Sequence, residues 1–299
     1  MRRDILNTAS PLSPSAPATS GGPLMPISDR EFQLLRDLIY ERFGINLTDQ
    51  KRSLLVSRLQ KILRGTGFGS FQDYYEYLVK TQDRKAFSQL IDLVSTNHTY
   101  FNREKAHFDY FLKTALPAVV EQLKKENRRD LRIWCAGCSS GEEAYMLLML
   151  MFEFFGSEYS QWDAGLLATD ISERILATAQ AGIYPEERVS QLPEQMKRKY
   201  FRRLADGTWQ AGDRLKQEAT FRRLNLMNER FPFKKPFQII FCRNVMIYFD
   251  GPTREALVKR FHQSTDPGGY LFIGHSETLG RDQSLYRYLM PAAYRKEGF

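Results

Sequence analysis

One stretch decides the fold of this 299-residue chain: Leu131-Arg132-Ile133-Trp134-Cys135-Ala136-Gly137-Cys138-Ser139-Ser140-Gly141-Glu142-Glu143-Ala144. The apolar residues 131–135 predict a buried strand, and the apolar run 141–155 predicts a helix. The turn between them consists of small residues, which let the backbone approach a ligand closely. The helix N-terminus that follows presents unpaired N–H groups and a partial positive charge. This strand, loop and helix therefore predict a ligand-binding turn in an α/β domain.

The charge of the turn limits the class of ligand. Glu142 and Glu143 fall in the first turn of the helix, where they would repel a pyrophosphate, and the glycines depart from the G-x-G-x-x-G spacing of dinucleotide sites. A ligand that carries a positive charge, such as an ammonium or a sulfonium, would instead be attracted by these two carboxylates. Asp170 ends the next predicted strand, where a carboxylate can accept both hydroxyls of a ribose. The acidic positions together predict S-adenosylmethionine, an adenosine-containing ligand with a cationic end.

Each of these polar residues also has a purely structural interpretation. Asp170 stands two residues before Ser172 and could cap the next helix, and Glu143 could serve only as a partner of the helix dipole. Cys135 and Cys138 form a C-x-x-C pair, but neither a second pair nor a histidine at zinc-finger spacing accompanies them. We therefore expect no metal site and no redox role.

Strands and helices alternate through the second half of the chain. The predicted strands are 131–135, 164–168, 237–242 and, after a turn at 267–269, 270–273; the predicted helices are 141–155, 172–181 and 252–261. This alternation predicts a Rossmann-like α/β fold, a parallel sheet with helices on both faces and a ligand at the carboxyl ends of its strands. The polar segment 184–224 interrupts the rhythm. We interpret it as an inserted helix and a small antiparallel sheet, with a hairpin turn at 208–213.

The first third of the chain has a different pattern. Residues 1–26 are rich in turn formers and lack hydrophobic periodicity, so we expect a disordered leader. A helical domain follows, whose first helix begins at Ser28 with a capping box to Glu31 and ends at Gly44. The predicted divisions are the helical domain 27–95 with further helices at 50–64, 71–80 and 86–94, a linker and connecting helix 96–126 that is broken or kinked at Pro117, and an α/β domain 127–299 with an inserted subdomain over about 185–224.

Composition excludes several classes of protein. The chain is 42% hydrophobic and 26% charged, has no apolar stretch of the ~20 residues that a bilayer crossing needs and lacks the apolar core of a signal peptide. Its three cysteines give no disulfide framework, which together with the missing signal predicts a cytoplasmic protein. The net charge of +8 favours acidic partners, but most basic residues are scattered among acids, so we expect no nucleic-acid partner.

The second predicted helix carries a basic stripe. At ~100° per residue, Arg58, Lys61 and Arg64 lie opposite an apolar arc that includes Leu55 and Leu59. Such a stripe is either a solvated helix face or a docking surface for an acidic helix. The charge pattern taken alone favours the solvated face.

Two motifs outside the ligand turn are more specific than the turn itself. The first is Thr96-Asn97-His98-Thr99-Tyr100-Phe101-Asn102-Arg103-Glu104, and the second is Cys242-Arg243-Asn244-Val245-Met246-Ile247-Tyr248-Phe249-Asp250. Together with Gly141-Glu142-Glu143 and Thr169-Asp170 they resemble the CheR family of chemotaxis receptor methyltransferases. The resemblance runs from about residue 27 to the C-terminus and includes the order of helical domain, α/β domain and inserted β-subdomain.

The resemblance implies S-adenosylmethionine-dependent methyl esterification of glutamate side chains on the cytoplasmic helices of chemoreceptors. It implies that Arg103 and Tyr248 flank the reacting carboxylate. The implied cofactor-binding residues are Asn97, Thr99, Arg103, Ala136, Gly137, Glu143, Asp170, Asn225, Leu226, Asn244 and Val245. The basic stripe of Arg58, Lys61 and Arg64 becomes a receptor-docking surface.

Some members of the family hold a peptide from the receptor C-terminus in the inserted subdomain, and the sequence does not decide whether this chain does. We expect a monomer without membrane insertion. Two other functions stay open at this point. One is a methyltransferase that acts on RNA or a small molecule, and the other is a non-catalytic, cofactor-binding signalling adaptor.

Overall fold

The helical N-terminal domain forms as the hydrophobic periodicity predicts. A computed structural model describes residues 25–279 and 285–298, so the predicted leader 1–26 lies almost wholly outside the described residues. The domain contains α1 (Asp29–Phe43), α2 (Arg52–Thr66), α3 (Phe71–Thr81) and α4 (Arg84–Val94). The capping box between Ser28 and Glu31 is present, and Gly44 ends α1 in the left-handed conformation with φ 69°.

The predicted connecting helix is interrupted rather than merely kinked. It consists of α5 (Lys105–Tyr110), a π-helical turn (Phe111–Ala115) and α6 (Leu116–Lys125). Pro117 lies in the first turn of α6, where its missing N–H costs least, and the π turn directly before it absorbs the mismatch in hydrogen bonding. The predicted effect of Pro117 is therefore confirmed.

The α/β domain contains the predicted strands and helices, with bounds that differ by a few residues. Its strands are β1 (Asp130–Ala136), β2 (Asp163–Asp170), β3 (Ile183–Tyr184), β4 (Phe201–Arg203), β5 (Trp209–Ala211), β6 (Ala219–Arg223), β7 (Phe237–Cys242), β8 (Thr265–Ile273), β9 (Arg287–Met290) and β10 (Ala293–Arg295). Its helices are α7 (Glu142–Phe155), α8 (Glu173–Ala181), α9 (Glu186–Val189), α10 (Glu194–Tyr200), α11 (Asp213–Glu218) and α12 (Gly251–Ser264).

The main sheet is mixed, whereas the sequence predicts a parallel one. Its seven strands run in the order β6-β2-β1-β7-β8-β10-β9, and the first five are parallel. β10 pairs antiparallel with both β8 and β9. Only two residues join β9 to β10, and a connection this short allows only an antiparallel pair.

Alternate residues of the central strand face two different cores. Ile133 and Cys135 pack in the core that contains α6 and α7, whereas Trp134 and Ala136 pack in the core that contains α12. The two-residue period of a strand produces this division. Helices thus cover both faces of the sheet, as predicted.

Three predicted boundaries need correction. The inserted antiparallel sheet has the order β3-β5-β4. The segment predicted as the insertion, about 185–224, also includes β6, which belongs to the main sheet and lies beside β2. The predicted hairpin turn 208–213 is largely strand and helix, and the chain turns earlier at Gly207, whose φ of 86° suits a tight turn. The predicted turn at 267–269 is a bulge within β8, because the pairing register with β7 shifts there.

None of the helices within residues 25–279 and 285–298 combines the length and the apolar character of a membrane span.

Candidate active site

A deep cleft opens at the carboxyl ends of β1, β2 and β7, where the helical domain packs against the α/β domain. Its empty volume, counted together with the part open to solvent, is about 1020 Å³. The linker that follows α4 forms one wall, and the turns after the three strands form the other. The lining includes ten of the eleven predicted cofactor residues: Asn97, Thr99, Arg103, Gly137, Glu143, Asp170, Asn225, Leu226, Asn244 and Val245.

Ala136 is the predicted residue that does not line the cleft. It is fully buried and is the last residue of β1. Its side chain packs in the core with Trp134, on the α12 side of the sheet. Strand alternation turns the Ala136 side chain away from the cleft, so its contact with the cofactor stays a prediction and would have to involve the backbone.

The turn after β1 brings backbone, rather than side chains, to the cleft. Gly137 has φ 79°, and a Cβ atom there would lie 2.4 Å from Cγ2 of Val245. The N–H groups of Gly137 and Cys138 donate to the carbonyl of Thr169 at 2.7 and 2.9 Å. The turn is thus fixed to the end of β2, and the space that a side chain would fill belongs to Val245 and the cleft.

Asp170 lies at the end of β2, as predicted, and supports the turn after β1. Its Oδ2 accepts the Ser139 N–H at 2.9 Å, and its Oδ1 accepts the Ser172 N–H at 3.0 Å. Burial raises the pKa of the Asp170 carboxyl, although the backbone N–H groups oppose that shift. The hydroxyl of Ser172, not Asp170, caps α8 by accepting the Ile175 N–H at 3.1 Å. The purely structural interpretation of Asp170 as that cap is therefore wrong.

The two glutamates of the ligand turn have different environments. Glu143 lines the cleft, whereas Glu142 is completely buried, accepts the Ser140 hydroxyl at 2.7 Å and pairs with Arg188 of α9. Burial raises the pKa of Glu142. The expectation that both carboxylates face the ligand is wrong for Glu142, because consecutive helical residues point about 100° apart. Only Glu143 is available to a cationic ligand group.

Arg243 connects Glu143 to the linker, and sequence reasoning gave it no role. It is buried, its Nη1 lies 3.0 Å from Oε2 of Glu143, and its Nη2 lies 3.1 Å from Oε2 of Glu104. Nη2 also donates to the carbonyl of Arg103 at 2.5 Å. The only signal in the sequence is an arginine directly after a fully apolar strand, which does not reveal its partners.

The charge of Glu104 is stabilised by this arrangement. Burial by itself would raise the pKa of Glu104, but His107, Arg243 and the Asn244 amide outweigh it and lower the pKa to about 2. Oε1 of Glu104 accepts the Asn244 side-chain N–H at 3.3 Å. Glu104 thus holds both the Arg243 guanidinium and the turn after β7 in place.

A second buried carboxylate, also missed by the sequence analysis, shapes the turn after β7. Glu277 accepts the N–H groups of Gly274 at 2.5 Å, Asn244 at 3.0 Å and Ile247 at 3.1 Å. Its burial raises the pKa of its carboxyl. These bonds support Asn244 at φ 59°, a left-handed conformation that asparagine tolerates better than most residues. Glu277 therefore positions Asn244 and Val245 at the cleft.

The two predicted catalytic residues meet the linker at the mouth of the cleft. Nη1 of Arg103 donates to the carbonyl of His98 at 2.7 Å, and Oη of Tyr248 donates to the carbonyl of Thr96 at 3.1 Å. Burial raises the pKa of Tyr248, so its hydroxyl is protonated and able to donate at neutral pH. Both side chains line the cleft, and both are partly exposed.

Apolar side chains also line the cleft, among them Leu226, Val245 and Ile171. The Asn225 amide donates to the carbonyl of Arg42 at 2.8 Å, and that bond joins the helical domain to the α/β domain. Apolar lining of this kind suits an adenine ring.

The predicted docking residues occupy different positions on α2. Lys61 and Arg64 are exposed, but Arg58 is partly buried. Nη1 of Arg58 donates to the carbonyls of Leu93 at 2.8 Å and Val94 at 3.1 Å. Arg58 thus satisfies carbonyls at the C-terminal end of α4 and fastens the start of the linker.

The cysteines of the C-x-x-C pair are free and buried, and so is Cys242. Burial raises the pKa of each of the three thiols well above its ordinary value. Cys135 donates to Oε1 of Glu143 at 3.2 Å. As protonated thiols inside the domain they are poor nucleophiles and poor metal ligands.

Comparison with known proteins places this geometry in a family. Residues 97–294 match the family described as "CheR methyltransferase, SAM binding domain", and residues 30–95 match "CheR methyltransferase, all-alpha domain". The chemotaxis protein methyltransferase of Borreliella burgdorferi is 44% identical, over 90% of this chain and 95% of that protein. The Escherichia coli chemotaxis protein methyltransferase is 35% identical, over 85% of this chain and 86% of that protein.

A third relative, the probable chemotaxis protein methyltransferase of Rhizobium etli, is 36% identical over 81% of this chain and 90% of that protein. The boundary between the two family matches falls between residues 95 and 97, directly after α4. The match over residues 97–294 includes every strand end that contributes to the cleft. The two family matches and the identity with these relatives cover both domains and the cleft. The chain therefore belongs to the CheR family of S-adenosylmethionine-binding methyltransferases.

Proposed function

We propose that this protein transfers the methyl group of S-adenosylmethionine to glutamate side chains on the cytoplasmic helices of chemoreceptors, forming methyl esters. The observation that carries the proposal is the pair of acidic residues at neighbouring strand ends, Glu143 and Asp170, in one cleft whose mouth holds Arg103 and Tyr248. The names of the relatives, chemotaxis protein methyltransferases, support the same substrate class.

The cleft offers a complementary group to each part of the cofactor. Asp170 would accept the ribose hydroxyls, and Glu143 would accept the ammonium group. The apolar region at Leu226 and Val245 would hold the adenine ring. The N–H groups that already fix the Asp170 carboxylate hold its oxygens in place without a change of conformation on binding. Preorganisation of this kind lowers the entropic cost of binding.

The reaction needs placement more than proton transfer. A glutamate side chain has a pKa of about 4.3 and is a carboxylate at neutral pH, so its oxygen attacks without a general base. The oxygen forms a bond to the methyl carbon, the carbon–sulfur bond breaks, and its electron pair stays on sulfur to give S-adenosylhomocysteine. A negative and a positive charge merge along this path, so a site that excludes water favours it.

Arg103 and Tyr248 would orient the incoming carboxylate. The Arg103 guanidinium can donate charge-assisted hydrogen bonds to it, which fix its direction of attack. An exclusive ion pair would lower the nucleophilicity of the carboxylate, and the existing bond to the His98 carbonyl keeps part of the guanidinium occupied. The Tyr248 hydroxyl, held on the Thr96 carbonyl, would form the opposite side of the entry.

The substrate helix would approach along α2. Lys61 and Arg64 are exposed there, and the exposed Leu54 adds an apolar contact. Opposite charges on the receptor helix would give orientation and a salt-dependent rate of association. For a receptor C-terminal peptide, we propose the free edge of β4 in the inserted sheet as its site, since an extended peptide adds to an exposed strand edge.

The experiment that tests this function is a methyl-transfer assay with radiolabelled S-adenosylmethionine and purified cytoplasmic fragments of the receptors. We expect base-labile label on the receptor, released as methanol, because methyl esters hydrolyse in alkali and methylated amines do not. Label that enters RNA or a small molecule would replace this function with another transferase activity. Cofactor binding without transfer to any receptor fragment would replace it with a non-catalytic adaptor.

A further inference from the structure

Three side chains of the types that ligate metals converge beside Arg243, and the proposed reaction uses none of them as a contact to the cofactor or the substrate. They are Glu104, His107 and His275. One ligand atom from each lies within 4.8 Å of the others. Glu104 precedes α5, His107 lies in α5, and His275 follows β8, so the fold itself brings the three together.

The orientation of His107 leaves a lone pair pointing at the centre of this group. The ring is fully buried, and its Nε2 lies 3.3 Å from the carbonyl oxygen of Pro291. A carbonyl only accepts, so Nε2 carries a hydrogen, and Nδ1 is left for a proton or a metal ion. Nδ1 is buried without a hydrogen-bond partner and lies 3.3 Å from Oε2 of Glu104. The two atoms therefore need a positive group between them, either a proton or a metal ion.

His275 completes the group from the solvent side. Its ring is exposed, and its centroid lies 4.4 Å from that of His107 at an interplanar angle of 84°. The backbone N–H of His275 also contacts Oε2 of Glu104 at 3.3 Å, so the residue is tethered beside the carboxylate. An ion can therefore enter past His275 without any opening of the core.

The local charge balance favours a cation as well. Arg243 is one positive charge between two carboxylates, with Glu143 at 3.0 Å and Glu104 at 3.1 Å. One negative charge is left over as long as no cofactor ammonium lies on Glu143. Each carboxylate oxygen has two lone-pair directions. Oε2 of Glu104 faces the Arg243 guanidinium and the His275 N–H, whereas Oε1 accepts the Asn244 amide and has a second lone-pair direction for another cation. Ligating carboxylates in metal sites commonly accept a further hydrogen bond in this way.

We propose that Glu104, His107 and His275 form a binding site for one divalent transition-metal ion of the nitrogen-preferring class, for which Zn²⁺ is the probe. Two imidazoles and one carboxylate favour Zn²⁺ over Mg²⁺ or Ca²⁺, which prefer oxygen ligands. Water would fill the fourth position, on the exposed side. The bond from Nε2 of His107 to the Pro291 carbonyl is the outer contact that orients a metal-bound imidazole.

Calorimetric titration of the metal-free full-length protein with Zn²⁺ tests this site. We expect one equivalent to bind, and His275→Ala, at an exposed position that folding tolerates, to weaken binding about tenfold or more. His262→Ala is the matched control, since it removes a histidine of α12 outside the group, and it should bind Zn²⁺ as the wild type does. Co²⁺ should give the visible absorption of a four-coordinate site in the wild type and lose it in His107→Gln.

Two results would overturn the proposal. One is the absence of saturable Zn²⁺ binding by the wild type, which would mean that a shared proton, not a metal, separates His107 from Glu104. The other is Zn²⁺ binding that His275→Ala and His107→Gln leave unchanged, which would place the ion elsewhere. Cofactor binding and methyl transfer are not the readouts, so failure here leaves the proposed function intact.

Discussion

Arg243 lies between two carboxylates, with Nη1 3.0 Å from Glu143 and Nη2 3.1 Å from Glu104. Glu143 lies in the first turn of α7, directly after the ligand turn, and Glu104 ends the linker that follows the helical domain. The guanidinium therefore ties the cofactor turn to the linker that carries Arg103. The geometry of the cofactor site and the position of the proposed carboxylate-orienting group depend on the same buried side chain.

Replacing Arg243 by Met should cost about 3–5 kcal/mol of unfolding free energy, because it removes a buried cation and leaves two mostly buried carboxylates unpaired. Urea unfolding followed by circular dichroism measures this. The control is Arg198→Met, which removes an exposed ion pair to Glu194 at 2.8 Å and should cost about 1 kcal/mol or less. Equal costs for the two variants would contradict the structural role of Arg243.

Gly137→Ala should weaken S-adenosylhomocysteine binding about tenfold or more. The added Cβ would lie 2.4 Å from Cγ2 of Val245, and φ 79° is strained for alanine. Calorimetric titration gives the dissociation constant. Gly165→Ala on β2 is the matched control, since a Cβ there meets nothing within 4 Å, and it should bind the ligand normally. An unaffected Gly137→Ala would mean that the ligand does not approach this turn.

The stabilisation that Glu104 provides should disappear in acid. Its pKa is about 2 in the folded protein and about 4.5 without its partners, so its contribution is complete above pH 4.5 and is lost as the pH falls toward 2. The difference in unfolding free energy between the wild type and Glu104→Gln should therefore shrink from pH 6 to pH 3. Urea unfolding at both pH values measures it, and a difference that grows in acid would contradict the sign.

Arg103→Ala should reduce receptor methylation about 100-fold or more while changing the dissociation constant of S-adenosylhomocysteine about threefold or less. The reason is that Arg103 is proposed to orient the carboxylate during attack rather than to carry the binding of the cofactor. Single-turnover methylation and calorimetry separate the two effects. Equal losses in both would assign Arg103 to cofactor binding alone.

The double variant Lys61→Glu, Arg64→Glu should weaken receptor association, with a loss that shrinks as salt is added. Lys80→Glu, on the exposed surface of α3, is the matched control and should have little effect. Arg58→Glu should instead lower the unfolding free energy, because Arg58 caps the carbonyls at the end of α4. Receptor binding that is indifferent to the double variant would remove α2 from the interface.

Much of this fold follows from local patterns in the sequence. The capping box at Ser28, the glycine stop at Gly44 and the apolar run of β7 each predict an element from neighbouring residues alone. Local patterns do not predict the structure where pairing between distant segments decides which sheet a strand joins. β6 belongs to the main sheet only because it pairs with β2, and nothing local distinguishes it from the inserted strands.

The candidate site shows the same division. Glu143 and Asp170 are predictable because strand ends in an α/β sheet meet at one edge. Arg243 and Glu277 are not, because their roles arise from partners 139 and 33 residues away along the chain. Ala136 is predicted as a cofactor contact, but side chains alternate along a strand, and the next residue, Gly137, is the first of β1 and its turn to line the cleft.

The most direct test of the central claim is a crystal structure of the protein with S-adenosylhomocysteine. We predict that the ligand lies in the cleft with its ammonium on Glu143, its ribose hydroxyls on Asp170 and its adenine beside Leu226. A ligand bound elsewhere on the chain, or one in the cleft that contacts neither carboxylate, would contradict the account.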